Sequence, residues 1–441
     1  MFSFMNIVRT LLAKLVVFLY SFLAVFNGGI GFKSELPECP DDFTPVVRFA
    51  VCSDVHLNGD ENQPEVARFR KLFDTVYAYS ATQEYKNFDA VVLVGDIATT
   101  GYPVEYEMAK KVLNEKVQDG TKVLTCCGNH EYIAYRDVDA SEGTRVFEQE
   151  MEREDCEHAV INGYHFIISS YDEDGRSFKD KAKWMNKEIK AAVKDTGDKP
   201  VFVFQHPAPF ATIYGSINWG DPSIPLTFIK YPQVVDFSGH SHYPVNDPRS
   251  IWQGGYTAFG CGTLSYYETE LDYIAGNFPY DTTQAAQFYI VEADAEGNVR
   301  VMPYDLITDQ FFSNEYYLTD LAKRNYDYSF LKMKLRDEKP QFAADTKVGT
   351  YVNEKGETVL TFDGAVDNFI VESYKVSVAK SGIIPVFSDN FSGKYMYQFM
   401  EDTYEVNLGV LDSGKKYTAS IVALNAYAET SKPLTYKFVA E

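Results

Sequence analysis

An apolar run, Val123-Leu124-Thr125-Cys126-Cys127, is followed directly by the polar segment Gly128-Asn129-His130-Glu131. The apolar run predicts a buried strand, and the glycine predicts a turn where that strand ends. The turn therefore presents an amide, an imidazole and a carboxylate at the carboxyl end of a strand. Ligands bind at such strand ends in open α/β sheets. Packing does not require three polar side chains in a row there, so they indicate a functional site.

The same pattern, an apolar run followed by side chains that can bind a metal ion, recurs at four other places. These are Asp54 and His56 after Val46–Cys52, Asp96 after Ala90–Val94, His206 after Pro200–Phe204, and His240 and His242 after Val234–Phe237. Taken singly, an Asp-x-His or a Gly-Asp is more often an ordinary cap or turn. However, five of the seven histidines of the chain lie in these loops. That concentration indicates one shared site.

The segments between the apolar runs predict helices, so strands and helices alternate as in an α/β sheet. The helical segments are Glu65–Tyr79, Glu105–Val117 and Lys179–Val193, and closing strands are expected at Thr257–Thr263, Gln287–Glu292 and Val299–Asp305. Residues 306–339 are polar and aromatic, with one predicted helix over Thr319–Asn325. From residue 340 onwards, short strands of period two alternate with turn residues, which is typical of a β-sandwich of roughly 100 residues.

A length of 441 residues is more than one hydrophobic core usually spans. We predict an export signal or membrane anchor over residues 1–32, a connector over 33–45 and a catalytic domain over 46–306. A second connector, packed on the catalytic domain, follows over 307–339, and a β-sandwich domain over 340–441 completes the chain.

Two features of charge bear on location and partners. The chain carries 41 basic and 63 acidic residues, a net charge of −22, which argues against nucleic-acid binding. Near the N-terminus, Arg9 and Lys14 precede the apolar run Leu15–Phe26, and the small residues Gly28 and Gly29 follow. This pattern predicts either a cleaved signal peptide or a retained membrane anchor, and an extracellular or cell-surface protein. The alternative is a helix buried in the globular domain.

The polar loops together supply seven candidate metal ligands with oxygen and nitrogen donors and no thiolate. They are Asp54, His56, Asp96, Asn129, His206, His240 and His242. Such a mixed set suits Mn, Fe, Zn or a similar divalent ion. Seven ligands are too many for one tetrahedral ion, but they fit two ions if one carboxylate bridges them. A pair of ions about 3.5–4 Å apart is suited to displacement at phosphorus.

The order and spacing of these motifs resemble the calcineurin-like metallophosphoesterase superfamily over roughly residues 46–306. The resemblance implies an α/β (α+β) four-layer fold, a β-sandwich core flanked by helices, instead of a simple doubly wound sheet. It also implies that Asp54, His56 and His242 hold a first metal, that Asn129, His206 and His240 hold a second, and that Asp96 bridges them. A hydroxide bound to this dinuclear centre would then attack phosphorus.

Further roles follow from the same resemblance. His130 would stabilise or protonate the leaving oxygen, and Glu131 would orient His130 or a neighbouring loop.

The candidates for substrate contacts are Asn58, Tyr102, Tyr132 and Tyr214, each of which could equally be packed in a loop. The expected substrate is a small phosphate monoester or diester, with the preference open.

The C-terminal part resembles a fibronectin type III domain over residues 411–431, with Tyr417 in the place of the tyrosine corner. The resemblance implies an all-β, immunoglobulin-like sandwich domain. The main functional hypothesis is therefore an exported metal-dependent phosphoesterase. The alternative is a cell-surface binding or adhesive protein whose phosphoesterase domain has lapsed; such a domain should have lost ligands, and all seven are present.

Overall fold

The computed structural model describes residues 4–24, 35–269, 282–381 and 384–441. These residues form two compact units. The first runs to Glu268 and resumes over Thr283–Leu335, and the second contains Arg336–Glu441. Gly28 and Gly29 of the predicted export segment, and with them the junction between that segment and the first connector, lie outside the described residues. The predicted domain boundaries stay predictions.

The first unit contains two main sheets and a set of helices. Its strands are β1 (Pro45–Cys52), β2 (Ala90–Val94), β3 (Lys122–Cys126), β4 (Cys156–Ile161), β5 (Tyr164–Ser169), β6 (Val201–Gln205), β7 (Ala208–Pro209), β8 (Gly220–Asp221), β9 (Val234–Ser238), β10 (Ile251–Gln253), β11 (Thr257–Gly260), β12 (Gln287–Asp294), β13 (Val299–Asp305), β14 (Gln310–Phe311) and β15 (Tyr316–Leu318). The helices are α1 (Phe4–Leu23), α2 (Pro64–Thr82), α3 (Pro103–Lys116), α4 (Ser141–Met151), α5 (Lys179–Thr196), α6 (Ser216–Trp219), α7 (Ser223–Phe228) and α8 (Phe330–Arg336).

Both main sheets are mixed, and the strands that matter for the site run parallel. In the first sheet, β1, β2 and β3 are parallel neighbours, with β12 antiparallel beside β1. In the second sheet, β5, β6, β9 and β11 are parallel neighbours, with β4 and β10 antiparallel at the two edges. Parallel neighbours end at the same edge of a sheet, so the loops that follow them lie together.

The two sheets pack face to face through aromatic side chains. The ring of Phe49 on β1 lies 4.9 Å from that of Phe202 on β6 and 5.0 Å from that of Phe166 on β5, in edge-on contacts. Alternate residues of a strand point to opposite faces. Val91 of β2 faces away from the second sheet and packs in a buried cluster with Phe69 and Phe73 of α2.

The second sheet is covered in the same way by α5, whose Met185 and Ile189 are buried in a cluster with Ile167 of β5. The order of layers is therefore helix, sheet, sheet, helix. This confirms the predicted four-layer fold. A simple doubly wound sheet would have only one sheet between the helical layers.

The N-terminal helix α1 lies on the first unit. It contacts α7, Ala13 and Val17 are buried, and the indole N–H of Trp252 donates to Ser21 Oγ at 3.1 Å. Within the described ranges, no helix combines the length and apolarity that a membrane crossing requires.

The predicted helix over Thr319–Asn325 is wrong. The structure has a single 3-10 turn at Leu321–Lys323. Asp320 and Arg324, which flank the turn, have positive φ angles of 51° and 60°. This left-handed conformation stops a right-handed helix on either side. The helix of this region is α8 instead, which begins at Phe330.

The second unit is an all-antiparallel β-sandwich, as predicted. Its strands are β16 (Val348–Val352), β17 (Thr358–Asp363), β18 (Val371–Lys380), β19 (Ile384–Ser392), β20 (Thr403–Asn407), β21 (Lys416–Asn425) and β22 (Leu434–Val439). They form one sheet in the order β16-β17-β20 and another in the order β19-β18-β21-β22. The buried phenol of Tyr417 accepts a hydrogen bond from the main-chain N–H of Asp412 at 3.0 Å, five residues upstream. A tyrosine corner makes a bond of this kind.

Candidate metal centre

The candidate ligands sit on loops whose backbone is strained. Five of them have positive φ angles, although none is glycine: Asp54 (55°), His56 (54°), Asp96 (49°), His240 (70°) and His242 (56°). A residue with a Cβ atom in this region costs of order 1–3 kcal/mol. The surrounding structure therefore holds each loop in a conformation that the chain alone would avoid, and the side chains turn towards one another.

Two glycines of the motifs are there because no Cβ atom would fit. A Cβ atom on Gly128 would lie 2.1 Å from Asp96 Oδ1. On Gly95, which also has a φ of +82°, it would lie 2.6 Å from His206 Nδ1. These glycines therefore allow the loops after β2, β3 and β6 to approach within contact distance.

Asp54 is a buried carboxylate of the site, and only one of its two oxygens accepts a hydrogen bond. Its Oδ2 accepts a hydrogen bond from the main-chain N–H of His240 at 3.0 Å. Its Oδ1 is buried and has no hydrogen-bond partner among the described residues. The Nε2 atoms of His242 and His206 lie 3.0 and 3.9 Å from that oxygen. A buried carboxylate oxygen facing imidazole nitrogens without a hydrogen bond is what a cation site needs.

Asp96 lies between the loops of the two sheets. Its Oδ1 accepts a hydrogen bond from the main-chain N–H of His130 at 2.8 Å. Its Oδ2 lies 3.1 Å from His206 Nε2. The amide oxygen of Asn129 lies 3.2 Å from the same nitrogen. Asp96, Asn129 and His206 therefore direct their donor atoms to one point.

Main-chain carbonyls orient two of the imidazoles. His206 Nδ1 bonds to the carbonyl of Val94 at 2.8 Å, and His242 Nδ1 bonds to the carbonyl of Tyr266 at 2.9 Å. In each ring the Nδ1–H is the donor, so Nε2 is the nitrogen that faces the centre and can bind a metal ion once it carries no proton. Metal-binding histidines are held in this way, with the second nitrogen donating to a carbonyl or carboxylate.

The donor atoms fall into two groups that share one residue. Donor atoms of Asp54, His56, Asp96 and His242 lie within 4.8 Å of one another, and so do those of Asp96, His206 and His240. Asn129 adjoins the second group through His206. All seven candidate ligands are thus brought together, and their mixed N/O set fits a divalent metal ion.

The ionisation of the site shows how strongly its groups interact. Although burial opposes it, the carboxylates of Asp96 and Asp54 raise the pKa of His206 to about 9. Burial lowers the pKa of His56 to about 4 and that of His240 to about 3. Against the effect of burial, His242 and His206 lower the pKa of Asp54 to about 2. Without a cation, the two carboxylates therefore retain a proton on a neighbouring imidazole.

His130 and Glu131 lie beside these groups. His130 Nδ1 bonds to the carbonyl of Thr99 at 2.7 Å, and 26% of its side chain is exposed. Glu131 is fully buried, and its carboxylate accepts hydrogen bonds from the main-chain N–H groups of Asp96, Ala98 and Gly128. Burial raises the pKa of Glu131 to about 8, and the nearby Asp96 carboxylate adds to the effect.

The structure does not place the four substrate candidates alike. Tyr132 is fully buried, and its hydroxyl bonds to Thr144, so it is not available to a substrate. Tyr214 is buried, with the Arg249 guanidinium 3.7 Å from its ring centre. Tyr102 is exposed at the start of α3, and Asn58 accepts a hydrogen bond from Asp60 N–H in a turn.

Two aromatic residues that the sequence did not single out lie against the candidate ligands. The ring of Tyr266 is 4.2 Å from that of His242, and the ring of Trp219 is 5.0 Å from that of His240. The guanidinium of Arg136 is also close, and it donates a hydrogen bond to the main-chain oxygen of Asn129 at 3.3 Å. Neither aromatic residue follows an apolar run or belongs to a motif, so no sequence signal marked them.

Carboxylates and imidazoles converge here from strand ends of two sheets, in an arrangement that could hold a divalent metal ion. Residues 47–244 match the sequence profile of the calcineurin-like phosphoesterase family. Residues 47–244 are therefore a domain of this family, and the match covers somewhat less than half of the chain.

Solved structures with similarity to the chain include the purple acid phosphatase PPD1 from seeds of yellow lupin (Lupinus luteus). It is 14% identical over 63% of this chain and 55% of that chain, with a TM-score of 0.45. A structure of PhoD is 11% identical over 68% of this chain and 79% of that chain, with a TM-score of 0.35. The chain thus spans about half the length of the lupin phosphatase. No curated protein matches the chain.

Proposed function

We propose that this protein is an exported, metal-dependent phosphoesterase that holds two divalent ions and hydrolyses small phosphate esters. The observation that carries the proposal is the pair of donor groups that share Asp96. Of the two functions weighed from the sequence, the intact donor set and the unpartnered Asp54 Oδ1 favour the enzyme over a lapsed domain.

The donor set divides naturally between two ions. Asp54, His56 and His242 would hold one, Asn129, His206 and His240 would hold the other, and Asp96 would bridge them. When bound, such ions stabilise charge that develops on the phosphoryl oxygens and make a water molecule more acidic. The metal could be Mn, Fe, Zn or a similar ion, because ligand chemistry alone does not select among them.

The residues around the ions have separate tasks in this proposal. Nδ1 of His130 is engaged with Thr99, so Nε2 is the nitrogen that can hold a proton and deliver it to the leaving oxygen. Its partial exposure suits contact with a substrate. Glu131 keeps the loops that carry Asp96 and Gly128 in register through its three main-chain hydrogen bonds.

Export is proposed from the sequence pattern of Arg9, Lys14 and the apolar run that follows. The pattern fits either a cleaved signal peptide or a retained anchor. The mass of the mature protein from its native host would distinguish the two.

The proposal is tested by metal analysis of the purified protein and by hydrolysis of p-nitrophenyl phosphate and bis-p-nitrophenyl phosphate with added Mn, Fe or Zn. We expect close to two ions per chain and turnover of at least one substrate that a chelator abolishes. A protein that binds no metal and hydrolyses neither substrate would contradict the proposal.

A further inference from the structure

Two aromatic side chains flank the centre, one against each donor group. The ring of Trp219 meets that of His240 at 5.0 Å and an interplanar angle of 81°. The ring of Tyr266 lies 4.2 Å from that of His242 and 5.6 Å from that of His56, tilted by 37° and 32°. Each ring therefore adjoins the donors of a different group.

Both rings are open to solvent in part, unlike the core aromatics near the site. Trp219 is 37% exposed at the end of α6, and Tyr266 is half-buried, whereas Tyr132 and Tyr171 behind the centre are buried. An exposed indole beside a polar site gains little stabilisation from burial in the core. Its remaining face is free to pack against a planar group of a ligand.

Tyr266 is fixed to the site through its main chain. Its carbonyl accepts the hydrogen bond of His242 Nδ1 at 2.9 Å. The position of the ring therefore follows the position of the imidazole. The ring also lies next to His56, whose own ring is 4.5 Å from that of His130. Tyr266 is thus the aromatic residue on the side of the proposed proton donor, which is the side of the leaving group.

We infer that the site is built for phosphodiesters with planar substituents, with Tyr266 packing against the leaving group and Trp219 against the substituent that stays on phosphorus. A monoester could use only the first of these rings. The inference rests on the proposed function and specifies its substrate class. In the reaction, the oxygen of water forms a bond to phosphorus and the bond to the leaving oxygen breaks. The leaving oxygen takes a proton, and the products are a phosphate monoester and an alcohol or phenol.

Three substrates with one leaving group test the inference on the full-length, metal-loaded protein. They are bis-p-nitrophenyl phosphate, methyl p-nitrophenyl phosphate and p-nitrophenyl phosphate. We expect the wild type to prefer the bis-aryl diester by kcat/KM. Trp219→Leu should raise KM about tenfold for the bis-aryl diester only, since stacking on one ring is worth about one order of magnitude. Tyr266→Leu should raise KM for all three, because all lose the same aryl group.

Aromatic replacements separate stacking from a structural effect. Trp219→Phe and Tyr266→Phe should retain most of the wild-type KM, and metal content should stay unchanged in all four variants. Tyr351→Leu, at an exposed tyrosine of the second unit, is the matched control and should change nothing. A wild-type preference for the monoester, or a Trp219→Leu effect equal on all three substrates, would overturn the inference. No hydrolysis of any of the three would instead overturn the proposed function.

Discussion

Glu131 Oε2 accepts a hydrogen bond from the main-chain N–H of Asp96 at 3.0 Å, so a fully buried carboxylate supports the residue that both donor groups share. The same oxygen accepts from Gly128 N–H at 2.6 Å, and Oε1 accepts from Ala98 N–H at 2.9 Å. One side chain therefore couples the loop after β2 to the loop after β3. The precision of the centre depends on a residue that need not touch a metal ion.

Glu131→Gln should reduce both stability and metal binding. The amide group would turn a donor towards main-chain N–H groups, and each buried donor left unpaired costs about 1–3 kcal/mol. We expect a loss of about 2 kcal/mol in the free energy of unfolding, measured with urea, and a lower metal content after dialysis.

Glu105→Gln is the matched control for this change. Glu105 is also buried and accepts main-chain hydrogen bonds from Thr100, Gly101 and Tyr102 at the start of α3. It should lose stability to a similar degree but keep its metal. Equal metal loss in both variants would mean that Glu131 acts only through general stability.

His130→Ala and Asn129→Ala should separate turnover from metal binding. His130 is expected to act on the leaving oxygen, so its removal should lower kcat by about 10²–10⁴-fold with metal content unchanged. Asn129→Ala removes a candidate ligand and should lower the affinity for one of the two proposed ions. Metal titration followed by kinetics on each variant checks both. Equal metal loss would show that His130 had been misinterpreted.

The stability of the metal-free protein should fall as pH rises from about 6.5 to about 9. His206 has a pKa raised from 6.5 to about 9 in the folded state, so its contribution is complete below pH 6.5 and lost as pH passes 9. Glu131, raised from 4.5 to about 8, acts in the same direction at lower pH. One such proton gives a slope of at most about 1.4 kcal/mol per pH unit.

Urea unfolding in the presence of a chelator measures this slope. Between pH 8 and pH 9, above the range of Glu131, His206→Asn should flatten it. Saturating metal should remove it as well, because binding requires the neutral imidazole. A wild-type stability that is constant or rises from pH 6.5 to pH 9 would refute the expected interaction between His206 and the carboxylates.

Replacement of His240 should test the strain in the ligand loops. The φ angle of His240 is 70°, so His240→Ala keeps the penalty of a Cβ atom in this conformation and His240→Gly avoids it. In the metal-free protein, the free energy of unfolding of the Gly variant should therefore exceed that of the Ala variant by about 1 kcal/mol. Both should be equally deficient in metal. At an exposed helical control such as Lys187, the order should reverse, since Gly there is the less stable choice.

The candidate ligands could be predicted because each follows an apolar run, and parallel strands bring the ends of such runs to one edge of a sheet. Residues next to a motif in the sequence were less reliable predictions of substrate contacts. Tyr132 directly follows the Gly-Asn-His-Glu motif, yet the 3-10 turn at His130–Tyr132 points its ring into the core. Trp219 and Tyr266 come from loops whose path no periodicity specifies.

The period-two pattern did not mark β16 and β19, which lie at edges of the two sheets of the second unit. Strand β19 is exposed along much of its length and contains Pro385, and an edge position tolerates proline. The predicted helix over Thr319–Asn325 failed in the opposite sense, since a helix-favouring composition was overruled by left-handed residues at both ends.

The positive φ angles at Asp54, His56, Asp96, His240 and His242 also bear on history. If the metal ligands were not needed, substitution by Gly or Asn at each position would stabilise the fold, because both residues accept this conformation more easily. All five positions carry Asp or His in spite of this strain. A metal centre that remains in use would account for that choice, because only these side chains supply the ligands.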